Sequence, residues 1–580
     1  MNEHNLHPEP GIAGKFISTG FDENGIMNEI QFHNTDNFNF AFDVVDALGT
    51  EQPDKLAMLH IASDGKERRI TFEDMMKYSN KAANYFRFLG IKRGDRVMLV
   101  LKRHYQFWFA ILGLHKIGAI AIPATYLLVR KDFEYRFKAA KVNAVLCTAD
   151  GKVAEEVEKA SKVYDGLKAK IMVGQTTLKG WRNFKRDIRY FSSDYKKPAE
   201  LPGGDDPMVM FFTSGTTAYP KLAIHSYKYA LGHYVTARYW QQVDPNGIHF
   251  TISDTGWAKA MWGKLYGQWL CEAAIFTYDF EEFYASQILQ MIQQHKITTF
   301  CAPPTVYRVM AHMNLDHYDL SSLQNVTTAG EALNPEIYEK FYSMTGLKIM
   351  EGFGQTETTL TIGNIKGMEP KPGSMGRPNP QYHVNIMRPD GTLCNANETG
   401  EIVISAGEER PTGLFLGYYL DEKRTDSTIY GGYYHTNDTA YMDEDGFIWY
   451  VGRTDDVIKS TGYRVGPFEI ENEIMKLPYV LEVAVTSIPD AMRGQAIKAS
   501  VVLTEGTEAS DALKKEMVRF FKQNLASYKR PKVIEFVKEL PKTVSGKIRR
   551  VDIKDKDWAK ENPSSANPAA ESSESKQDSN

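Results

Sequence analysis

The chain has 580 residues, more than one hydrophobic core normally supports, so two or more domains are expected. Hydrophobic residues make up 42% and charged residues 24%, the balance of a globular chain. The net charge of −4 lacks the basic excess of a nucleic-acid binder, and the four cysteines (Cys147, Cys271, Cys301, Cys394) lie too far apart for a C-x-x-C metal or redox motif.

The first ten residues lack the basic start and apolar core of a signal peptide. No stretch reaches about 18 uninterrupted apolar residues. The nearest, 107–128, is broken by His115, Lys116 and Pro123. No integral membrane segment is expected, and reduced cysteines suit a soluble, cytoplasmic protein.

Residues 1–39 read as an N-terminal extension. From Phe40 onward, helical and strand patterns alternate. Asn39 is placed to cap a helix running to Leu48 and stopped by Gly49. Thr71, with Asp74 three residues on, forms a capping box for a helix whose apolar positions Tyr78, Ala82, Tyr85 and Phe88 repeat until Gly90. Continuous apolar runs predict strands at 97–101, 119–123, 144–147, 170–173, 208–212, 274–277 and 299–302, with a helix at 105–116. Buried strands separated by helices imply a parallel α/β sheet architecture.

The run at 208–212 feeds Thr213-Ser214-Gly215-Thr216-Thr217 and closes on Pro220-Lys221. Several backbone N–H groups, up to four hydroxyls and one lysine can be turned toward a single anion there, which suits a polyphosphate. A plain Gly/Ser/Thr turn is the alternative; the preceding strand and following Pro-Lys argue against it. It is not a Walker loop, because no glycine precedes Lys221 and Leu222 stands where a metal-binding hydroxyl would be.

Downstream, Ser253-Asp254-Thr255-Gly256-Trp257-Ala258-Lys259 and Trp262 fit either helix packing or the wall of a substrate pocket. Glu351-Gly352-Phe353-Gly354-Gln355-Thr356-Glu357-Thr358 offers a flat ring to stack on a base, polar groups to orient it, and a carboxylate for Mg²⁺. A glycine-rich turn opening a helix, with Glu357 complementing its dipole, is the alternative. From Tyr382 the texture changes to short strands and turns, a β-rich subdomain. It closes near Asp438, which reads as a ribose acceptor or as a turn aspartate. Glycines 462 and 466 flank Tyr463-Arg464 and would let a ligand approach the backbone. The segment 456–558 reads as a small α+β domain: helices at 467–477 and 511–524, strands at 480–487, 499–503 and 533–536. It ends in the basic loop Lys542-Thr543-Val544-Ser545-Gly546-Lys547, and the polar tail 559–580 is expected to be disordered.

T-S-G-T-T-A-Y-P-K at 213–221 resembles the phosphate loop of the adenylate-forming superfamily, which includes acyl-CoA synthetases, luciferases and peptide-synthetase adenylation domains. The family has glycine where this chain has Ala218 and Asn437. S-D-T-G-W-A-K at 253–259, together with 301–305 and 328–332, is similar to the medium-chain acyl-CoA synthetases. Pro-Lys-Thr-x-Ser-Gly-Lys at 541–547 resembles the family's C-terminal catalytic loop. The resemblance covers roughly 40–553, with its motifs in family order.

The resemblance implies a large N-terminal domain, 40–454, of layered α/β sheets plus a β-rich subdomain. It is hinged at Asp455 to a small α+β C-terminal domain, 455–558. It implies an ATP-dependent, AMP-forming acyl-CoA synthetase (an acid-thiol ligase) using ATP, Mg²⁺ and coenzyme A. Lys547, Lys221, Thr356 and Arg464 would be catalytic. Nucleotide contacts would come from residues 213–217, Lys221, Gly330, Glu331, Ala332, residues 351–356, Asp438, Arg453 and Lys547. Glu357 would hold the metal, and Thr461, Gly462, Tyr463 and Arg493 would meet coenzyme A. Trp257 and Gly354 would line the acyl pocket. Acetate-using relatives carry tryptophan at the position of Gly354, so glycine implies a deeper pocket for acids longer than acetate, each extra buried methylene contributing about 0.8 kcal/mol. The partners implied are a small carboxylic acid, ATP and coenzyme A, with no nucleic acid; self-association is compatible with this reading. The alternatives are an enzyme that loads a carrier protein and a catalytically inactive nucleotide-binding protein.

Overall fold

The computed structural model describes residues 6–175, 177–213, 220–460, 463–490, 494–543 and 547–561. The chain divides into two compact units. The first holds Met1–Asn385, Val403–His435 and Asp445–Ile448; the second holds Ile386–Ile402, Thr436–Glu444 and Trp449–Asn580. Asp438 and Arg453 thus fold with the second unit.

Among the described residues, the first unit is built on an eight-stranded and a nine-stranded sheet. In the eight-stranded sheet, Ala169–Val173, Ala144–Thr148, Arg96–Val100, Ile120–Pro123 and Pro207–Thr213 run parallel in that spatial order. The nine-stranded sheet has a parallel centre: Leu56–Ile61, Ala274–Tyr278, Ile248–Thr251, Thr299–Cys301, Asn325–Ala329 and Ile349–Phe353. Every strand expected in this region forms, within two residues at each end. The sheets are mixed, however, with antiparallel strands at their margins, because Lys221–Ser226 folds straight back on Pro207–Thr213 as a hairpin.

Alternation along each strand decides the layering. Val97 and Leu99 enter one core, which also holds Met58 and Ile275 from the other sheet; Met98 and Val100 face the opposite way into a second core. Leu59 and Phe276 enter a third. The shared core lies between the sheets and contains the helix Gln106–Ile117, whose twelve residues are all buried. Residues 107–114 are apolar all round, as a large interior requires, and the buried Lys116 that follows is paired with Asp46 at 2.7 Å. The stretch nearest in character to a membrane span is therefore the central core helix. No described helix is long and apolar enough to cross a membrane.

Helix starts follow the sequence signals. Thr71 and Asp74 make the capping box of Phe72–Phe88. Asn39 accepts from Ala41 N–H at 3.0 Å, while its own N–H donates to Asp43 at 2.8 Å. Gly49 does not stop that helix: a π-helical segment Ala41–Asp46 continues as Ala47–Glu51. Gly49 instead lets the backbone of Phe72 approach, since a Cβ there would lie 2.8 Å from Phe72 O.

The extension is also structured. His7–Pro8, Ile17–Phe21 and Met27–Phe32 form a three-stranded antiparallel sheet. Ile12, Ala13, Phe16, Ile17, Met27 and Phe38 are buried in the shared core.

In the second unit, Val480–Asp490 and Gly494–Leu503 form a long antiparallel pair joined in parallel by Val533–Phe536. Pro467–Ile474 and Asp511–Asn524 supply residues to one face of the sheet. A helix not expected from sequence, Arg550–Glu561, contributes Ile553 to the other. It carries the chain past the point where the disordered tail was expected to start. Its apolar residues, Val551, Ile553, Trp558 and Ala559, are scattered among eight charged ones, a pattern too weak to read.

Candidate functional site

Four of the segments singled out in the sequence follow neighbouring strands of the nine-stranded sheet. Residues 253–262 follow Ile248–Thr251, 302–305 follow Thr299–Cys301, 330–332 follow Asn325–Ala329, and 354–358 follow Ile349–Phe353. The carboxyl ends of adjacent parallel strands form the crevice in which open α/β sheets bind ligands. Side chains tie these loops together. Lys259 Nζ donates to Ala329 O at 2.8 Å, and Leu333 N–H donates to the Glu351 carboxyl at 3.1 Å. Burial pushes the Glu351 carboxyl up to about 8 despite that bond, so it holds a proton near neutrality.

The hairpin of the other sheet meets this crevice. Thr213 and Lys221 are directly opposite each other where it opens; Ser214, Gly215, Thr216 and Thr217 lie outside the described residues. A strap, Gly417–Tyr418, pairs with the Lys221–Ser226 arm and delivers Tyr418. The Lys221 ammonium stands 5.0 Å from the centre of the Tyr418 ring, and the Tyr418 hydroxyl donates to Glu357 Oε1 at 2.8 Å. Tyr418 therefore links the expected phosphate lysine to the expected metal carboxylate. Phe415 N–H donates to Glu357 O at 2.8 Å, fixing the same strap to the turn.

The turn 354–358 is held from both sides. His225 Nε2 donates to Thr356 O at 2.8 Å, and complete burial keeps this imidazole near 3, hence neutral. The Tyr434 hydroxyl donates to the Gln355 side-chain oxygen, and Gln355 N–H donates to Thr358 Oγ1 at 3.0 Å. Phe353, Gln355 and Thr356 remain half-buried at the crevice, while Glu357 is 8% exposed. Among the described residues no group of three His, Cys, Asp or Glu could cage a metal. A single presented carboxylate is the donor set for Mg²⁺ that shares its other ligands with substrate phosphates, so Glu357 fits that ion.

Gly354 has a neighbour the sequence did not assign to it. A Cβ at 354 would lie 2.3 Å from Thr359 O and 2.5 Å from Trp262 Cη2. The indole of Trp262, on the helix Ala258–Gly263, occupies the room left by the missing side chain, so glycine at 354 does not by itself deepen the pocket as expected from the sequence. Trp257 is half-buried at the start of the same helix.

In the second unit, Asp438 is 4% exposed and accepts from the Tyr450 hydroxyl at 3.1 Å. Arg453 approaches it at 3.5 Å, donates to Thr436 O at 3.2 Å, and lies 3.7 Å from Asp455. Asn437 has φ 57°, the left-handed geometry that asparagine tolerates well. Lys547 is exposed. Its N–H donates to Thr543 Oγ1 at 3.1 Å, and Thr543 N–H donates to Lys547 O at 2.7 Å. Tyr463 and Arg464 are placed by backbone alone, opposite Ser460 and Lys459. Thr461, Gly462 and Arg493 fall outside the described residues.

Sequence reasoning missed Tyr418, His225 and Tyr434. Each sits in an ordinary apolar or aromatic stretch, and only pairing between distant strands brings it to the turn.

Residues 45–419 match the AMP-binding enzyme family, and residues 469–547 match the AMP-binding enzyme C-terminal domain. Acyl-coenzyme A synthetase ACSM3, mitochondrial, of Pongo abelii is 39% identical over 530 residues, 90% of each chain. An acyl-CoA synthetase of Brucella canis is 30% identical, with a TM-score of 0.69 over 91% of this chain and 96% of that one. The anthranilate CoA ligase AuaEII, solved with anthranoyl-AMP, is 27% identical, with a TM-score of 0.82 over 89% of this chain and 96% of that one. With the crevice, the hairpin and both matched regions in chain order, this protein belongs to the AMP-binding enzyme family.

Proposed function

We propose that this chain is an AMP-forming acyl-CoA synthetase acting on carboxylic acids longer than acetate, short branched to medium-chain. A carboxylate oxygen attacks the α-phosphorus of ATP and pyrophosphate leaves, giving an acyl-adenylate. The thiol of coenzyme A then loses its proton and attacks the acyl carbon, and AMP leaves.

The observation that carries this reading is the Lys221–Tyr418–Glu357 arrangement beside a turn held by His225. Two anions must meet in the first step, so positive charge and in-line placement are most of what the protein contributes. Lys221 and the loop N–H groups would take the charge of the departing pyrophosphate. Mg²⁺ at Glu357, when bound, would neutralise phosphate oxygens. Asp438 and Arg453 would hold the ribose, and residues 330–332 and 351–356 the adenine side. Lys547 would bind the carboxylate and α-phosphate, and losing it should cost on the order of 10² to 10³ in rate. Asp455 would be the hinge of the cycle, as such enzymes use hinged segments. Residues 461–463 and Arg493 would meet coenzyme A, and Arg464 would take part in catalysis. Trp257, Trp262 and Gly354 would bound the acyl chain. The four free cysteines suit a reducing, cytoplasmic setting.

The test is ATP–pyrophosphate exchange over acetate, propionate, isobutyrate, 2-methylbutyrate, hexanoate, octanoate and benzoate, with thioester formation followed in parallel. Exchange and thioester that peak together beyond acetate are expected. Exchange without thioester would replace this reading with carrier-protein loading, and ATP binding without exchange would leave an inactive nucleotide binder.

A further inference from the structure

The N-terminal extension lies outside both matched family regions, yet it is folded into the core of the first unit. It also inserts a carboxylate there. Glu9, 7% exposed, accepts hydrogen bonds from three hydroxyls: Tyr234 at 2.6 Å, Tyr239 and Thr19. Burying a carboxylate costs free energy that an apolar side chain would not. What this one secures is the orientation of two phenols on one short stretch of chain.

That stretch leads to the acyl site in two steps. Tyr239 lies in the π-helical segment Thr236–Trp240, a wide turn of a kind often found at functional sites. Trp240, the next residue, is fully buried, and its indole N–H donates to Met350 O at 3.0 Å, on the strand that ends at Phe353. The Trp240 ring packs under Gly352, where a Cβ would fall 2.8 Å from Cε2. It also meets Trp262 edge to face, with centroids 6.2 Å apart and planes at 82°. Trp262 is the ring seated against Gly354. On the other side, Tyr239 O accepts from Lys366 N–H at 2.7 Å, so the turn is pinned at both ends.

We propose that Glu9 is a positioning residue for the acyl pocket and that the N-terminal extension thereby tunes which acids the enzyme accepts. Through Tyr239 and Tyr234 it sets the seat of Trp240, and Trp240 sets the tilt of Trp262. The inference rests on the acyl-site reading given above. Its main effect is on the acid, because the contacts end on Trp262; Trp240 also packs under Gly352, in the segment given to the adenine side, and meets it only from below.

The test compares Glu9→Gln, Tyr239→Phe, Ile17→Ala and Trp262→Phe in the full-length enzyme. Steady-state kcat and KM are measured for the acid panel at saturating ATP and coenzyme A, with KM for ATP and the Tm measured alongside. Glu9→Gln and Tyr239→Phe are expected to change the ratio of kcat/KM between the longest and shortest accepted acids by about fivefold or more. KM for ATP should change by much less than that ratio. Ile17→Ala, which loosens the neighbouring strand Ile17–Phe21 without altering the carboxylate or its hydroxyl partners, should lower the Tm and leave the ratio alone. If Glu9→Gln does not fold, Tyr239→Phe decides the same question. A lowered Tm with an unaltered acid profile in both variants would overturn the proposal, as would an equal shift from Ile17→Ala. A shift in Trp262→Phe with none in Glu9→Gln or Tyr239→Phe would remove the inference and leave the pocket standing. No shift even in Trp262→Phe would remove both.

Discussion

Tyr418 carries two jobs at one point: its ring face lies under the Lys221 ammonium, and its hydroxyl satisfies the buried Glu357 carboxylate. Removing the hydroxyl leaves a nearly buried charge short of a donor, a loss of about 1 to 3 kcal/mol. Tyr418→Phe is therefore expected to lower ATP–pyrophosphate exchange by about tenfold to a hundredfold. Its magnesium dependence should shift to higher concentration, because Glu357 is no longer held for the ion. A variant with wild-type exchange at limiting magnesium would contradict this role. Glu351 offers a second check through pH. Its folded carboxyl is raised to about 8 from an ordinary 4.5, so its contribution to stability is complete below about pH 4.5 and is lost as pH rises through 8. The loss amounts to a few kcal/mol at most, on the order of 1.4 per unit. Glu351→Gln keeps an acceptor for Leu333 N–H but cannot ionise. Its Tm advantage over the wild type should widen between pH 5 and pH 9, and a constant gap would refute the assignment.

The turn 354–358 is where local pattern and packing meet. Glycine at 354 is demanded by Thr359 O and by the Trp262 ring, one of which is backbone and cannot swing away. Gly354→Ala should therefore destabilise the protein by about 1 to 3 kcal/mol, as overpacking does. Adding Trp262→Phe should recover only part of the loss, because the contact with Thr359 O remains. Full recovery, read from thermal unfolding, would mean that the indole alone excludes a side chain. Legibility at this scale was uneven, and the reasons are physical. Thr71–Asp74 and Asn39 were readable because capping is settled within four residues. The Asp511–Asn524 helix forms over the residues expected from the sequence. Arg550–Glu561 was not readable, since its four apolar residues, Val551, Ile553, Trp558 and Ala559, are scattered among eight charged ones. Gly49 was misread as a stop because its purpose, close contact with Phe72, is made by a distant segment.

At the scale of the whole molecule, the two lysines that the proposed chemistry needs belong to different units. Lys547→Ala is expected to abolish acyl-adenylate formation by at least about 10², while thioester formation from supplied acyl-adenylate survives. Equal loss in both half-reactions, measured in single turnovers, would show that Lys547 supports the fold and does not act in one step. The sequence alone determined the class of the protein. Its strands, its crevice-forming loops and its Thr213–Lys221 and Thr543–Lys547 motifs are short-range patterns, each written within about ten consecutive residues. Tertiary structure alone decided what holds those motifs in place. Tyr418 reaches Glu357 across 61 positions, His225 reaches Thr356 across 131, and Tyr239 reaches Glu9 across 230. Such pairings depend on which strands become neighbours, and sheet order is set by the burial of whole faces, a global property that no local stretch of residues contains.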